Sequence, residues 1–430
     1  MTAAKLSLIS FLQDSKMLSC RRWLILFASC CFNLNFIIIC LLPIGLFGSY
    51  ISICELNKIN TAETVIETSN EETFQNELAN WIEAKNAKYS GYKISYPEKG
   101  IIYANGFFPL GNTSVRVNIL EINKKINPNL EIKPVTASKN LNSKVKIHDM
   151  AVKNNSIAAI NGGYFKPQTG VPLGALMIDN ELLTGPVYNR AAIGINADGK
   201  YTAGKTDIKF FLKNKKISLK IDNLNQPRML STYSLVYTSK WGKNAPLPPK
   251  YGVNAIISKG RIKGVYKTSV EIPSDGFVLS APYKTVEKLS GQKDLKLETE
   301  YPEAFKDSIH IISGGPYLVK DGAIYIDVKE EKLTAVNGRN PRTLIGYTKN
   351  NDLIVAVIDG RESKSIGMSL YEAAKFMQKL GCVNAINLDG GSSSVMYLKG
   401  QIANKPQTAG GIPIPGALTV GIKPSIAELK

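Results

Sequence analysis

Gly381-Cys382-Val383-Asn384-Ala385-Ile386-Asn387-Leu388-Asp389-Gly390-Gly391-Ser392-Ser393-Ser394-Val395-Met396-Tyr397-Leu398 reads as strand, polar elbow, strand. Val383 to Leu388 is an apolar run broken only by Asn384 and Asn387, and it stops where Asp389 and two glycines require a backbone that no strand provides. Side chains two apart on a strand share a face, so Asn387 and Asp389 project to one side, where residues 390–394 offer N–H groups and hydroxyls. A carboxylate beside a loop able to cradle an anion is the pattern of an active site.

Working outward, Ser369-Leu370-Tyr371-Glu372 is a capping box, and the apolar spacing of Ala373, Phe376, Met377 and Leu380 predicts a helix that Gly381 ends. Before it, Leu353 to Ile358 is six apolar residues followed by the turn Asp359-Gly360-Arg361, the clearest strand in the chain. Two further double glycines follow buried-type strands. Ile157 to Ile160 runs into Asn161-Gly162-Gly163, and Ile311-Ile312-Ser313 into Gly314-Gly315. Three such elbows predict one shared pocket, because glycine is needed where φ is positive or where a ligand meets the backbone closely. Val115 to Ile122 alternates with period two and predicts a half-buried strand; Leu130 to Val135 predicts another, and Lys146 to Asn154 a short helix. Residues 170–310 read as strands and Gly/Asn/Lys-rich turns without a fixed repeat.

The chain has 430 residues, with 53 Lys and Arg against 35 Asp and Glu, a formal +18 that favours anionic partners. No basic block or zinc-finger spacing points to nucleic acid. Of six cysteines, only Cys382 lies outside the N-terminal apolar segment and its flanks, which excludes an internal disulfide or a cysteine zinc site in the main domain. Residues 1–22 are short and basic. Residues 23–53 carry no charge and exceed the roughly 20 residues needed to cross a bilayer, so they predict a transmembrane signal anchor with the N-terminus in the cytoplasm; the rival reading is a cleaved signal peptide, for which no Ala-x-Ala site follows the core. Residues 54–94 read as a polar stalk or packing helix, and 95–425 as the main domain, outside the cytoplasm.

Arg339 and Arg342 flank Pro341 just before the strand Leu344 to Tyr347, and a guanidinium fork suits bidentate phosphate binding. Asp389 and Asp359 are the carboxylates offered for general acid/base work. His148 reads as a packing or capping residue. Ser392 to Ser394 has no Gly-x-Ser-x-Gly frame and no evident histidine partner, so it reads as a loop donor rather than a nucleophile.

Four ordered motifs, Ala158 to Phe165, Ser313 to Val319, Pro341 to Gly346 and Asn387 to Ser393, together with Ile414 to Val420, resemble the phosphodiester glycosidase family over about residues 100–422. The resemblance implies a single large mixed-sheet α+β domain, which the uncharged run at 23–53 is expected to place behind one N-terminal transmembrane helix. It also implies a hydrolase that cleaves the bond between a sugar's anomeric carbon and a phosphodiester, releasing the sugar and leaving a phosphomonoester. Asn161, Gly163, Arg342, Asp359, Asn387, Asp389 and Gly390 occupy matching motif positions. Catalysis is then expected at Asp389, Asp359 and Arg342. Substrate binding is expected at Asn161, Gly162, Gly163, Gly314, Gly315, Asn387, Gly390, Gly391 and Ser392. The sequence departs from the family at Ser392, where a third glycine is usual, and at Pro415-Gly416, where Ser-Asn is usual.

The expected partner is a phosphorylated glycan or sugar-1-phosphodiester, in envelope or exopolysaccharide metabolism. No cofactor is required by this reading. A variant with Ca²⁺ or Mg²⁺ on oxygen ligands from Asp389 and Asn387 is one alternative, and a membrane-anchored glycan-binding or polysaccharide-assembly protein without turnover is another.

Overall fold

The computed structural model describes residues 73–423. The expected basic segment and signal anchor, and residues 54–72 of the polar segment, lie outside the described residues. Nearly all the described residues belong to one compact unit, Gln75–Lys430. Among the described residues no helix is long and apolar enough to cross a membrane.

This unit is mostly sheet with few helices. Its central sheet has eight strands in the order Lys93–Glu98, Ile101–Leu110, Thr113–Ile122, Leu353–Ile358, Arg342–Thr348, Cys382–Asn387, Tyr317–Lys320 and Ala323–Ile324. The expected mixed sheet is corrected here, since every neighbouring pair in this sheet is antiparallel. Hairpins join 101–110 to 113–122 and 342–348 to 353–358, which fixes those directions. Among the described residues the parallel pairing is confined to Asn223–Leu224 against Leu235–Tyr237.

Alternation along the strands sorts the core into two faces. Ile354, Ala356 and Ile358 pack toward the helix Leu370–Lys379, against Ala373, Phe376 and Met377. Leu353, Val355 and Val357 face the other way, onto Ile132, Ile160, Leu418 and Val420 of a second sheet. That sheet has the order Gln401–Ile402, Met396–Leu398, Ala158–Asn161, Gly416–Ile422, Leu130–Thr136. Each of the Ile, Leu, Val, Phe and Met side chains among these contributes about 1.5–3 kcal/mol through burial. The capping box forms as expected: the Ser369 hydroxyl accepts from the Glu372 N–H, and the Glu372 carboxylate accepts from the Ser369 N–H. Gly381 follows the helix at φ +87°, a left-handed conformation suited to glycine.

Thr113–Ile122 differs from its half-buried expectation. It lies inside the sheet with both faces covered, so even Asn118 and Glu121 are buried. Glu121 is satisfied from the helix at 73–88 and its end: Lys88 lies 2.8 Å away, the Tyr89 hydroxyl donates at 2.5 Å, and Lys85 pairs with both Glu121 and Asp352. Burial opposes the Glu121 charge, but Lys88 and Lys85 hold its carboxyl below the usual range.

Candidate active site

The three glycine elbows meet. Asn387 ends its strand opposite Leu344, and its carbonyl accepts from the Gly315 N–H at 2.7 Å, tying the second elbow to the third. The Gly391 N–H donates to the Pro341 carbonyl at 2.9 Å, and the Tyr164 hydroxyl reaches the Gly315 carbonyl at 2.9 Å from the first elbow. The glycines are required by backbone contact. A Cβ on Gly163 would stand 2.1 Å from the Ser313 carbonyl oxygen, one on Gly314 2.3 Å from that of Asn387, and one on Gly390 2.9 Å from that of Pro341. Gly162 is a neighbour of Gly416, whose carbonyl accepts its N–H at 3.0 Å.

Asp389 sits at this junction, half-buried. Its Oδ1 accepts the Gly390 N–H at 2.9 Å, and Ser393 supplies a hydroxyl. Burial nevertheless pushes its carboxyl up to about 6, because the two hydrogen bonds recover only part of the lost hydration. A carboxylate that titrates there changes charge within the working pH range of many enzymes.

Asn161 and Asn387 have defined tasks beneath the junction. Asn161 Nδ2 donates to the Asp389 carbonyl at 2.8 Å, while its Oδ1 accepts from the Thr343 hydroxyl at 2.6 Å and the Val395 N–H at 3.2 Å. Asn387 Nδ2 donates to the Tyr164 hydroxyl at 2.9 Å and the Gly315 carbonyl at 3.2 Å. Both asparagines are buried and position the elbows. Four buried polar atoms gather around the same loops without a hydrogen-bond partner: Asn387 Oδ1, Ser313 Oγ, Ser394 Oγ and Glu331 Oε2. Orphaned polar atoms of this kind are uncommon in a folded core.

Two expected catalytic residues are placed as braces. Arg342 is 2% exposed; its Nε donates to the Met368 carbonyl at 2.9 Å and one Nη to the Val336 carbonyl at 2.7 Å and to that of Gly338. Burial pushes it down to about 10. Asp359 is 1% exposed, accepting from Asn404 Nδ2 at 2.9 Å and the Lys405 N–H at 3.0 Å, with Arg116 3.8 Å away. Burial raises its pKa. Asn404 in turn bonds the Ser394 carbonyl and the Met396 N–H, so Asp359 steadies the strand that leaves the third elbow.

The exposed cation at the elbow is Arg361. Its guanidinium is 3.2 Å from where a Cβ on Gly391 would lie, and it is held by Gln407 Oε1 at 2.7 Å and Asn340 Oδ1 at 2.8 Å. Ser392 Oγ donates to the same Gln407 oxygen at 3.1 Å. Arg361 has φ +62°, a conformation that costs a non-glycine residue about 1 kcal/mol. Arg190, buried, lies over the Tyr164 ring at 5.1 Å. Beneath Gly315 is Glu331: a Cβ on that glycine would be 1.8 Å from Glu331 Oε2. Glu331 Oε1 accepts the Ala191 N–H at 3.0 Å and pairs with Lys205 at 2.6 Å, yet burial raises its carboxyl to about 7.

Arg361 and Tyr164 belong to stretches that the sequence marks, a strand-end turn and a glycine elbow, but nothing in the sequence singles them out. Glu331 lies in the run Lys329-Glu330-Glu331-Lys332, which has the composition of a solvated loop. His148 lies on its short helix, half-exposed beside Tyr397 and away from the elbows' contacts. Among the described residues, no three His, Cys, Asp or Glu side chains gather as a metal-ligand group. A small pocket of about 30 Å³ between Gly162–Tyr164, Gly174, Ser313 and Gly416 has room for one water but no sugar.

The phosphodiester glycosidase family model matches residues 251–421, which include the second and third elbows, Arg342, Asp359 and Arg361 but not Asn161 to Tyr164. The bovine (Bos taurus) N-acetylglucosamine-1-phosphodiester α-N-acetylglucosaminidase is 34% identical over 121 residues, 26% of this chain and 22% of that protein. The human enzyme of the same name is 35% identical over 121 residues, with the same shares. The matched stretch thus spans about a fifth of the length of these relatives. A solved Synechocystis protein superposes with TM-score 0.69 at 25% identity, covering 75% of this chain and 62% of its own. One from Burkholderia pseudomallei gives TM-score 0.59 at 19% identity, covering 71% and 74%, and shows the shared fold. The resemblance carried by the three motifs at 313–319, 341–346 and 387–393 therefore stands on an independent match: over residues 251–421 this chain is similar to the phosphodiester glycosidases.

Proposed function

We propose that the protein hydrolyses the bond between a sugar's anomeric carbon and a phosphodiester, with Asp389 as the working carboxylate. The observation that carries this reading is the Asp389 carboxylate, raised to about 6, at the meeting point of three glycine elbows with an exposed guanidinium beside them. In the reaction a water oxygen bonds to the anomeric carbon as the bond from that carbon to the phosphate oxygen breaks. The electron pair leaves on the phosphate, which becomes a phosphomonoester; the water's proton passes to Asp389 or to that phosphate. A phosphomonoester oxygen has its second pKa near 6, so it departs with little protonation. One carboxylate facing an oxocarbenium-like carbon therefore suffices, where an ordinary glycoside needs two.

Arg361, not Arg342, takes the phosphate in this scheme. It is the exposed guanidinium of the two, it lies against Gly391, and its fork matches two phosphate oxygens. Ser392 and the N–H groups of the elbow add neutral donors, and the serine in place of a third glycine is a point at which substrate choice can differ. Tyr164 and Asn387 orient the second elbow. Membrane anchoring through residues 23–53, an extracytoplasmic site, and a role in envelope or exopolysaccharide turnover extend the proposal from the N-terminal sequence. N-acetylglucosamine is the first sugar to try, since the curated relatives carry it in their names.

The test is incubation of the full chain with chromogenic sugar-1-phosphodiesters. The reading expects free sugar and a phosphomonoester, with release of both abolished for substrates whose phosphate is methylated to neutrality. Binding of the whole panel without product would favour the non-catalytic alternative.

A further inference from the structure

Residues 206–300 hold 17 Lys and Arg against 8 Asp and Glu, a net +9 that is half of the whole chain's +18. They fold around the strands Leu235–Tyr237, Gly276–Pro282, Gly252–Ser258 and Arg261–Tyr266, with Arg261–Tyr266 at the sheet edge. Arg261 and Lys263 on that edge are adequately explained as charges that keep it from pairing with another strand, and a bulge at Lys263 serves the same end.

The groove at the far end of this sheet has no such explanation. Its volume is about 610 Å³, and it is lined by Leu247, Pro248, Pro249, Tyr251 and Tyr283, with Lys250 and Lys267 as its ionisable cations and no acid. Tyr251 is 81% exposed, Leu247 70% and Tyr283 55%. Edge protection needs no exposed aromatics. Lys250 lies 5.3 Å from the Tyr251 ring centroid and, like Lys267, has no ion-pair partner among the described residues. Two prolines stiffen the wall, so little order would be lost on binding. Flat aromatic faces stack on the apolar faces of sugar rings, and free ammonium groups attract anionic substituents.

We propose that this groove binds an anionic glycan chain, apart from the residues of the candidate active site. Concavity and the pairing of stacking faces with unpaired cations select this occupant over an acidic protein, which would need a broader surface. The proposal is independent of turnover, because none of the groove's residues takes part in the elbows.

The test is fluorescence titration of the full chain in detergent with dextran sulfate, unmodified dextran, an oligothymidylate and phosphatidylglycerol vesicles. Two double variants are compared, Tyr251→Ala/Tyr283→Ala and Lys250→Glu/Lys267→Glu, each checked for an unchanged Tm. The expected result is that dextran sulfate binds, dextran does not, and each pair of substitutions raises Kd at least tenfold. The lysine pair should also flatten the salt dependence. Dextran sulfate binding that survives the tyrosine pair would reduce the effect to general surface charge and overturn the proposal. Equal affinity for the oligonucleotide would overturn it in favour of a nucleic-acid site, and tyrosine-dependent binding to vesicles alone would overturn it in favour of a membrane contact.

Discussion

Asn161 Nδ2 donates to the carbonyl of Asp389 at 2.8 Å, across 228 residues of chain. That bond joins the end of one buried strand to the working end of another in a different sheet, and Thr343 and Val395 close the ring through Asn161 Oδ1. Asn161→Ala would leave a buried carbonyl, a hydroxyl and an N–H unpartnered. Each such loss costs about 1–3 kcal/mol, so the variant should melt several degrees lower and lose kcat more than it gains in KM. Unchanged melting and turnover would remove Asn161 from the framework.

Arg342 and Arg361 should separate cleanly. Arg342→Ala removes a buried guanidinium donor from three backbone carbonyls, of which those of Met368 and Gly338 keep Asn340 as a partner, and is expected to lower Tm at a cost of about 1–3 kcal/mol. Arg361→Gly relieves a left-handed residue and should leave Tm unchanged or higher. Its effect should fall on activity, with KM for an anionic substrate raised at least about tenfold. Thermal melts and steady-state kinetics on the two variants check this; the reverse pattern would return the phosphate to Arg342.

Gly163→Ala tests whether the elbows are glycine because of packing. Its Cβ would meet the Ser313 carbonyl oxygen at 2.1 Å, so one elbow must shift against the other. The expected cost is about 1–3 kcal/mol, seen as a lowered denaturation midpoint with an unchanged slope.

Much of this was legible in the sequence, for physical reasons. Leu353 to Ile358 and the capping box at Ser369 are local patterns, and the structure reproduces them residue for residue. The three elbows were visible because glycine next to glycine after a strand is a local signal too. The direction of pairing was not, since antiparallel and parallel neighbours present the same apolar run. Nor was the burial of Arg342: a guanidinium written beside proline looks the same whether it faces solvent or three carbonyls. Thr113–Ile122 misled through its alternation, because Lys85, Lys88 and Tyr89 neutralise Glu121 from a helix far away in sequence. Arg361 was hidden for a similar reason, its neighbours Asn340, Gln407 and Gly391 coming from three separate loops.

Stability should depend on pH through the buried carboxyls. Asp389 at about 6, Glu331 at about 7 and Asp359 are all raised in the folded state, so the native protein holds protons that the unfolded chain has released. Stability then falls as pH rises from about 4.5 to 7. Melting curves at pH 5 and pH 7.5 should show the higher Tm at pH 5, and Glu331→Gln should shrink the difference.

The catalytic carboxylate must be ionised to stabilise the developing positive charge, so kcat/KM should rise with pH through about 6, the value to which burial lifts Asp389. An acidic limb absent from the profile, or a rate that falls through that region, would argue against an ionised Asp389.

The most direct test is Asp389→Asn, assayed for hydrolysis of a sugar-1-phosphodiester alongside its melting curve. The substitution removes the charge and keeps the shape, so the account predicts turnover reduced at least about a hundredfold with Tm at pH 7.5 no lower than that of the unmodified chain. Near-full turnover in the folded variant would contradict it.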